Sequence, residues 1–183
     1  NMSDPILSDK RVRDAISMAV DRNQIVSAVY ANGDGIACSL PIPVTCWLYD
    51  ESLESLAPAY DPEGAKKLLE EAGYPNGFDI VLSVGQSDAY VRAATIIQAM
   101  LSQIGVNVEI QSITPTEMTD RLLNKTVQLF MRDGGQGGST DPASFVGNFL
   151  DSSKLHTNYN AWCYEDPETD ELVRKAAAST NQE

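Results

Sequence analysis

Histidine is almost absent from this 183-residue chain, and its three cysteines are scattered. His156 is the single histidine, and none of Cys38, Cys46 and Cys163 belongs to a CxxC pair. Zinc sites and thioredoxin-type redox motifs depend on closely spaced cysteines and histidines, so the sequence predicts neither. We expect no metal ion and no other cofactor.

Two of the cysteines share one predicted loop. Seven residues separate Cys38 from Cys46. An oxidising compartment would allow them to form a disulfide. Spacing alone does not set the distance between their Cα atoms, so two buried thiols remain an equal alternative.

Positive charge and long apolar runs are also scarce. The chain has 13 lysines and arginines against 26 acidic residues, a net charge of −13, which excludes the basic surface that nucleic acids require. No apolar run approaches the roughly 18 residues of a transmembrane helix.

The first residues, NMSDPILSD, are polar and predict no signal peptide, so an export signal is not expected within this chain. The length suits one domain, or one lobe of a larger protein.

Residues 9–26, DKRVRDAISMAVDRNQIV, carry a pattern typical of two packed helices. Val12, Ala15, Ile16, Ala19 and Val20 fall on one helical stripe. Asp21 and Arg22 then interrupt this stripe, and a second one begins at Ile25, Val26, Val29 and Tyr30.

Further helix starts carry a capping residue followed by proline. Asp61-Pro62, Asp141-Pro142 and Asp166-Pro167 have this form, and Thr114 with Glu117 adds a capping box. We predict helices from Pro62 to Gly73 and from about Asp88 to Ile104 before Gly105. A last helix from Glu168 is predicted to bury four apolar residues, Leu172, Val173, Ala176 and Ala177.

Strand patterns alternate with these helices at residues 78–84, 106–113 and 127–131. The order strand, helix, strand, helix, strand predicts two consecutive βαβ units and therefore a parallel α/β sheet. Residues 32–60 lack periodicity and contain Pro41, Pro43 and Pro58, so they are expected to form an ordered surface loop.

Ligands of open parallel sheets bind beyond the carboxyl ends of the strands. Two polar loops follow strands there, residues 85–88 and the glycine-rich stretch 132–140, RDGGQGGST. Its glycines would let a ligand approach backbone N–H groups closely, although a flexible, solvated loop is the alternative. The candidate ligand contacts in and around these loops are Arg132, Asp133, Gln136 and Ser139, with Asp88 and Trp47 behind them.

Other chemistries find little support in the sequence. Neither GxGxxG nor GK[ST] is present, so nucleotide binding is not expected. A serine hydrolase would need a GxSxG elbow and a base, but the elbow is absent and His156 lies in a polar stretch, where we expect a surface residue. Several aromatic residues could stack on a ligand but are expected to pack instead: Trp47, Tyr49, Trp162 and Tyr164.

Several blocks of the chain resemble one family in the right order. DKRVRDAISMAVDR resembles the "DKRVRQALSYAIDR" signature of the family 5 extracytoplasmic solute-binding proteins, the peptide and nickel binders of ABC importers. AYDPEGAKKLLEEAGYPNGFDIVL, IIQAMLSQIGVNVEIQSI, TDPASF and YEDPETDELVRKAAAST are similar to later blocks of the same family.

The resemblance implies that residues 1–183 form the second α/β lobe of a two-lobe binding protein. Such a lobe has three layers, α/β/α, with a largely parallel sheet. The first lobe, the signal peptide and the returning C-terminal segment are expected to lie outside this chain. The implied function is capture of a small polar solute, a peptide or peptide-like compound, with delivery to ABC transporter permease subunits. The implied location is extracytoplasmic, in the periplasm or anchored by lipid at the cell surface, and no catalysis is implied.

One departure from the family pattern concerns the ligand. Many peptide binders carry a tryptophan and an aspartate where this chain has Gly135 and Gly138, and that aspartate binds the peptide α-ammonium. The ammonium site is therefore missing unless Asp133 replaces it, whereas Arg132 falls where some relatives place a cation for a carboxylate. Two further hypotheses remain: a small α/β enzyme with Asp133 as base, and a receptor module that is not coupled to transport.

Overall fold

The computed structural model describes residues 1–30, 32–40, 42, 44–47, 49–132, 142–155, 157 and 159–178, and only the backbone of 142–145. The chain forms seven α-helices and three strands in the described ranges. In chain order they are α1 Lys10–Met18, α2 Arg22–Val29, α3 Pro62–Glu71, β1 Phe78–Val84, α4 Asp88–Ser102, β2 Val106–Ser112, α5 Pro115–Leu123, β3 Leu129–Met131, α6 Pro142–Leu150 and α7 Pro167–Ala178. Short 3-10 helices lie at Glu51–Leu56 and Ser152–Lys154.

The three strands form a parallel sheet in the order β2-β1-β3, which confirms the predicted α/β class and both βαβ units. β1 pairs with β2 along its whole length, but β3 pairs only with the last three residues of β1. The predicted strand 127–131 was therefore two residues too long. The side chain of Gln128 explains the difference, because its Oε1 accepts a hydrogen bond from the backbone N–H of Val81 at 2.8 Å.

One face of the sheet carries the larger hydrophobic core. Alternate residues of β1, Ile80, Leu82 and Val84, all point to this face and are buried. Helices α1, α3 and α4 cover them with apolar stripes whose buried members are Val12, Ala15, Ala65, Leu69, Ala94 and Leu101. The stripe of α1 that the sequence predicted is thus confirmed. No residue of α2 is fully buried, so its stripe is only partly covered.

The opposite face carries a smaller core formed by α5 and residues around Ala161. Its buried members are Ile113, Met118, Leu122, Val127 and Ala161, and Phe130 packs against them. The ring of Trp162 stacks on Phe130 with centroids 6.4 Å apart and on Phe149 at 5.3 Å. Helices therefore flank both faces of the sheet, in three layers.

The predictions for α7 were partly wrong. The helix starts where the Asp166-Pro167 cap indicates, but Leu172 is 59 % exposed and Ala176 and Ala177 are exposed as well. Val173 alone among its described residues is buried. The reason is that α7 packs mainly along α6, which covers only a narrow side of it.

The caps at Asp61 and Thr114 are confirmed by hydrogen bonds. Asp61 Oδ1 accepts from the N–H of Gly64 at 2.9 Å, and Thr114 Oγ1 accepts from the N–H of Glu117 at 3.2 Å. Asp141 lies outside the described residues. Across the described ranges, every helix is too short or too polar to cross a membrane.

Candidate functional site

The order β2-β1-β3 makes the carboxyl end of β1 a topological switch point. Helix α4 connects β1 to β2, which lies on one side of β1. Helix α5 then connects β2 to β3, which lies on the other side of β1. Adjacent loops diverge at such a point and leave a crevice, which is the usual ligand position in open α/β sheets.

A hollow of about 450 Å³ occupies this crevice. The loop after β1, the start of α4, the start of α5 and the residue after β3 all contribute to its walls. The lining residues are Gly85, Gln86, Ser87, Tyr90, Ile113, Pro115, Met118, Thr119 and Arg132.

Arg132 is the one charged side chain among these lining residues. It directly follows β3 and is half-buried. Within the described part of the chain, no carboxylate forms a salt bridge with its guanidinium group. A guanidinium group can bind a carboxylate through two parallel hydrogen bonds, so this wall of the hollow suits an anionic group.

The rest of the hollow combines polar and apolar groups. Gln86, Ser87 and Thr119 offer amide and hydroxyl groups, whereas Ile113 and Met118 are buried and apolar. Such a surface suits a small ligand that carries a carboxylate at one end and an apolar portion at the other.

Asp88 begins α4, next to this hollow but outside its lining. Ser87 caps the same helix, because its Oγ accepts a hydrogen bond from the N–H of Tyr90 at 3.3 Å. An acidic residue in the first turn also interacts favourably with the helix dipole, which accounts for Asp88 in structural terms. Its contact with a ligand stays a prediction.

Of the other predicted site residues, the structure describes Trp47. Trp47 precedes the 3-10 helix Glu51–Leu56, is 55 % exposed and does not line the hollow. Asp133, Gln136 and Ser139 lie outside the described residues, as do the four glycines beside them and His156. Their roles stay predictions.

Sequence reasoning missed Tyr90, Met118 and Thr119 as lining residues. Tyr90 lies in the first turn of α4, and Met118 and Thr119 belong to the first turns of α5. The signal that would have found them is the start of two helices directly after neighbouring parallel strands, since both starts then lie at one edge of the sheet.

The three cysteines are free thiols, and each is half-buried, so no disulfide joins Cys38 and Cys46. Burial raises the pKa of the Cys38 thiol above its ordinary value, and the nearby charge of Glu54 adds to the effect. The described residues contain no cluster of three or more potential metal ligands.

Three of the four singled-out aromatic residues have packing or hydrogen-bonding partners within the fold. Trp162 stacks between two phenylalanines, the hydroxyl of Tyr49 donates to Glu54 Oε1 at 3.0 Å, and that of Tyr164 lies 3.0 Å from Thr169 Oγ1. This agrees with the packing interpretation made from the sequence. Trp47 differs from them in its exposure.

Comparison with known proteins gives a consistent match. The model of the bacterial extracellular solute-binding proteins, family 5, middle region, matches residues 1–156. The chain is 33 % identical to heme-binding protein A of Haemophilus influenzae over 94 % of its length and 33 % identical to the dipeptide-binding protein of Escherichia coli over 98 %. It spans 32 % and 34 % of those two proteins, about a third of their length.

A solved structure shares the fold. The dipeptide-binding protein of a Pseudoalteromonas species, in complex with Met-Leu, superposes with a TM-score of 0.87 at 28 % identity. The match covers 100 % of this chain and 36 % of that one.

Proposed function

Because the chain belongs to family 5 of the bacterial extracellular solute-binding proteins, we propose that it is the second lobe of a two-lobe protein that captures a small solute for an ABC importer. The fold and the share of the relatives' length support a lobe that covers residues 1–183 as one unit. The rest of the protein supplies the opposite wall of the cleft.

The observation that carries this proposal is the position of Arg132. The residue follows β3 at the switch point and lies in the wall of a hollow in which the described lining residues include no other charged side chain. We assign it the role of binding a carboxylate of the ligand. Gln86, Ser87 and Thr119 supply further polar contacts, and Tyr90 and Met118 pack against the apolar part of the ligand.

The ligand class follows from this arrangement. The relatives are described as binding heme and dipeptides, and both ligands carry carboxylates. This chain has Gly135 and Gly138 where many peptide binders of the family carry a tryptophan and an aspartate. It therefore lacks, at position 138, the aspartate that binds the peptide α-ammonium group in those relatives. We therefore propose a peptide-like compound that is recognised through a carboxylate more than through an α-ammonium group.

The mechanism is binding without chemistry. The two lobes close around the solute, exclude water and thereby strengthen the interaction between Arg132 and the carboxylate, since charge pairs are screened less in a dry site. The closed form then docks on permease subunits outside the cytoplasm. This location, like the role as a carrier that catalyses no reaction, is part of the proposal.

A thermal-shift measurement on the full-length protein tests the proposal. The probes are the dipeptide Met-Leu, the same dipeptide with an amidated C-terminus, and hemin. A ligand at a hundredfold excess over its Kd stabilises a protein by about 2.7 kcal/mol. We expect at least one carboxylate-bearing probe to raise the Tm of the wild-type protein. If Met-Leu is that probe, its amidated form should give no rise. Arg132→Ala should abolish the rise for whichever probe binds.

Arg92→Ala is the matched control, because Arg92 is an exposed arginine of α4 that does not line the hollow. The control should keep the full rise in Tm. An equal rise for Arg132→Ala and the wild type would remove Arg132 from the site. Absence of stabilisation by every carboxylate probe would contradict the proposed ligand class.

A further inference from the structure

Large apolar side chains are exposed mainly in one short segment. Among the described residues, ten large hydrophobic side chains are exposed, and six of them lie between residues 30 and 60. Leu56 and Ile36 are the most exposed, at 76 % and 69 %. We call this stretch segment 30–60. Its six exposed members are Tyr30, Ile36, Trp47, Leu53, Leu56 and Tyr60.

Hydrogen bonds connect described residues of this segment. Glu54 joins distant parts of the segment, since its two carboxylate oxygens accept hydrogen bonds from the N–H of Ser39 at 2.8 Å and the hydroxyl of Tyr49 at 3.0 Å. Asp50 caps the 3-10 helix by accepting from the N–H of Ser52 at 2.9 Å. Polar contacts thus join described parts of the segment, while the six apolar side chains named above stay exposed.

Residues 36–39 and 57–60 of the segment line the same hollow. Ile36 and Tyr60 both line a depression of about 690 Å³, together with Arg22 at the start of α2. Ile36 and Tyr60, which lie 24 positions apart in the sequence, therefore belong to one surface. Monomeric proteins rarely leave contiguous apolar patches of more than a few hundred Å² exposed.

The segment lies at the carboxyl-end pole of the sheet. A six-residue turn, 72–77, joins the end of α3 to the start of β1, so the start of α3 points toward the end of β1. Helix α1 runs antiparallel to α3, because Arg11 Nη1 donates to Glu71 O at 2.7 Å and the N–H of Asp61 donates to Met18 O at 2.9 Å. The chain therefore leaves α1 and returns to α3 at this pole.

Helix α2 confirms the same placement. Ala28, near its end, shares a shallow depression with Val91 and Arg92, which belong to the first turns of α4. Since α4 starts beside the hollow that contains Arg132, segment 30–60 emerges next to the cleft-facing edge of the lobe.

We infer that segment 30–60 is a permanent contact surface that packs against the rest of the two-lobe protein beside the ligand cleft. This inference rests on the proposed function. The chain spans about a third of its relatives' length, so ample surface is available outside it. A contact made only on closure would leave the patch exposed whenever the ligand is absent, which favours a contact that persists in both states.

Charge specifies the complementary face. Segment 30–60 contains Asp34, Asp50, Glu51 and Glu54 but no lysine or arginine. The contacting face of the partner region is therefore apolar at its centre, with basic residues at its margin, because opposite charges at a contact rim favour the correct pairing.

Hydroxyl-radical footprinting of the ligand-free full-length protein tests the inference. Labelling of Trp47, Leu53, Leu56 and Tyr60 is corrected for intrinsic reactivity and compared with labelling of Leu123 and Leu172, which are exposed elsewhere on the lobe. We expect at least fivefold lower labelling of segment 30–60. Labelling equal to that of Leu123 and Leu172 would overturn the inference. Protection that disappears on dilution, together with a dimer in sedimentation, would replace the intramolecular contact with a second copy of the chain and would overturn it as well.

A pair of variants gives a second measurement. Leu56→Glu should lower the Tm of the full-length protein by several degrees more than Leu172→Glu, because only the first would introduce a charge into a buried contact. Equal effects would contradict the inference. Failure of this test leaves the Arg132 test of ligand binding intact, so the two ideas fail separately: the patch can be solvent-exposed in a protein that still binds its ligand through Arg132.

Discussion

The parallel sheet and segment 30–60 place their apolar side chains in opposite ways. The sheet and its helices bury theirs, as Val12, Leu101 and Val106 are fully inaccessible. Segment 30–60 instead contains hydrogen bonds to carboxylates and exposes six of its described large apolar residues, among them Ile36 and Leu56. The difference separates a region that stabilises itself from a region whose apolar surface is available to the rest of the protein.

Glycine substitutions give the largest expected effect. A Cβ atom on Gly77 would lie 1.8 Å from the carbonyl oxygen of Gly105, where the starts of β1 and β2 approach each other, and Gly77 also has a φ of 72°. Gly73 has a φ of 95° but open space around it. We expect Gly77→Ala to prevent folding or destabilise strongly, and Gly73→Ala to cost about 1 kcal/mol. Urea unfolding monitored by circular dichroism measures both, and similar losses would contradict the close approach of the two strands.

Leucine truncation compares the two regions directly. Leu101 is fully buried between α4 and the sheet, so Leu101→Ala should reduce the free energy of unfolding by about 2–5 kcal/mol. If the lobe is studied without the rest of the protein, Leu56→Ala should change it by less than about 0.5 kcal/mol. Equal losses in urea unfolding of that lobe would show that segment 30–60 packs within it.

Removing the carboxylate of Glu54 should loosen segment 30–60 and leave the sheet unchanged. Glu54→Ala deletes the acceptor for the Ser39 N–H and the Tyr49 hydroxyl. We expect faster hydrogen exchange at the amide of Ser39, and unchanged exchange at Val108 in β2. Asp79→Ala, which removes an exposed carboxylate from β1, is the control and should leave exchange at Ser39 unchanged. Faster exchange at both sites in Glu54→Ala would mean that the two regions unfold together.

Acid should affect segment 30–60 before the sheet. Hydrogen bonds from Ser52 lower the pKa of Asp50 below its ordinary 3.8. Burial opposes ionisation of Glu54, but hydrogen bonds from Ser39 and Tyr49 outweigh it and keep its pKa below 4.5. Carboxylates with a lowered pKa stabilise the fold above the unfolded value and lose this contribution as the pH falls through the folded value.

Below about pH 4 we therefore expect the fluorescence of Trp47 to change before the far-ultraviolet signal of the helices. A Trp162→Phe background isolates the signal of Trp47. Asp50→Asn should remove part of the early change, since asparagine does not titrate. Coincident transitions in both signals would place the two regions in one cooperative unit.

The sequence predicted what depends on local pattern. The strand pattern over residues 78–84 marked β1, and capping residues marked the starts of α3 and α5. It did not predict the strand order, which decides that the start of α5 meets the loop after β1 and brings Met118 and Thr119 to the same hollow as Arg132. That juxtaposition is a property of the connections between elements and has no local signature.

Two local errors have the same origin. Leu172 fits a helical stripe, but α7 packs mainly along α6, which leaves this side chain exposed. Gln128 lies in the run 127–131, which predicted a strand. Its side chain accepts the hydrogen bond from the Val81 N–H that the backbone of a longer β3 would have accepted. In both cases the partner surface, which the sequence does not display, decided the outcome.

A crystal structure of the full-length protein with the ligand that stabilises it tests the assignment of Arg132 as the carboxylate-binding residue. We expect a ligand carboxylate oxygen within about 3 Å of the Arg132 guanidinium group, with Gln86, Ser87 and Tyr90 around the same ligand. A ligand bound away from the carboxyl end of β1, or one that leaves Arg132 in solvent, would contradict it.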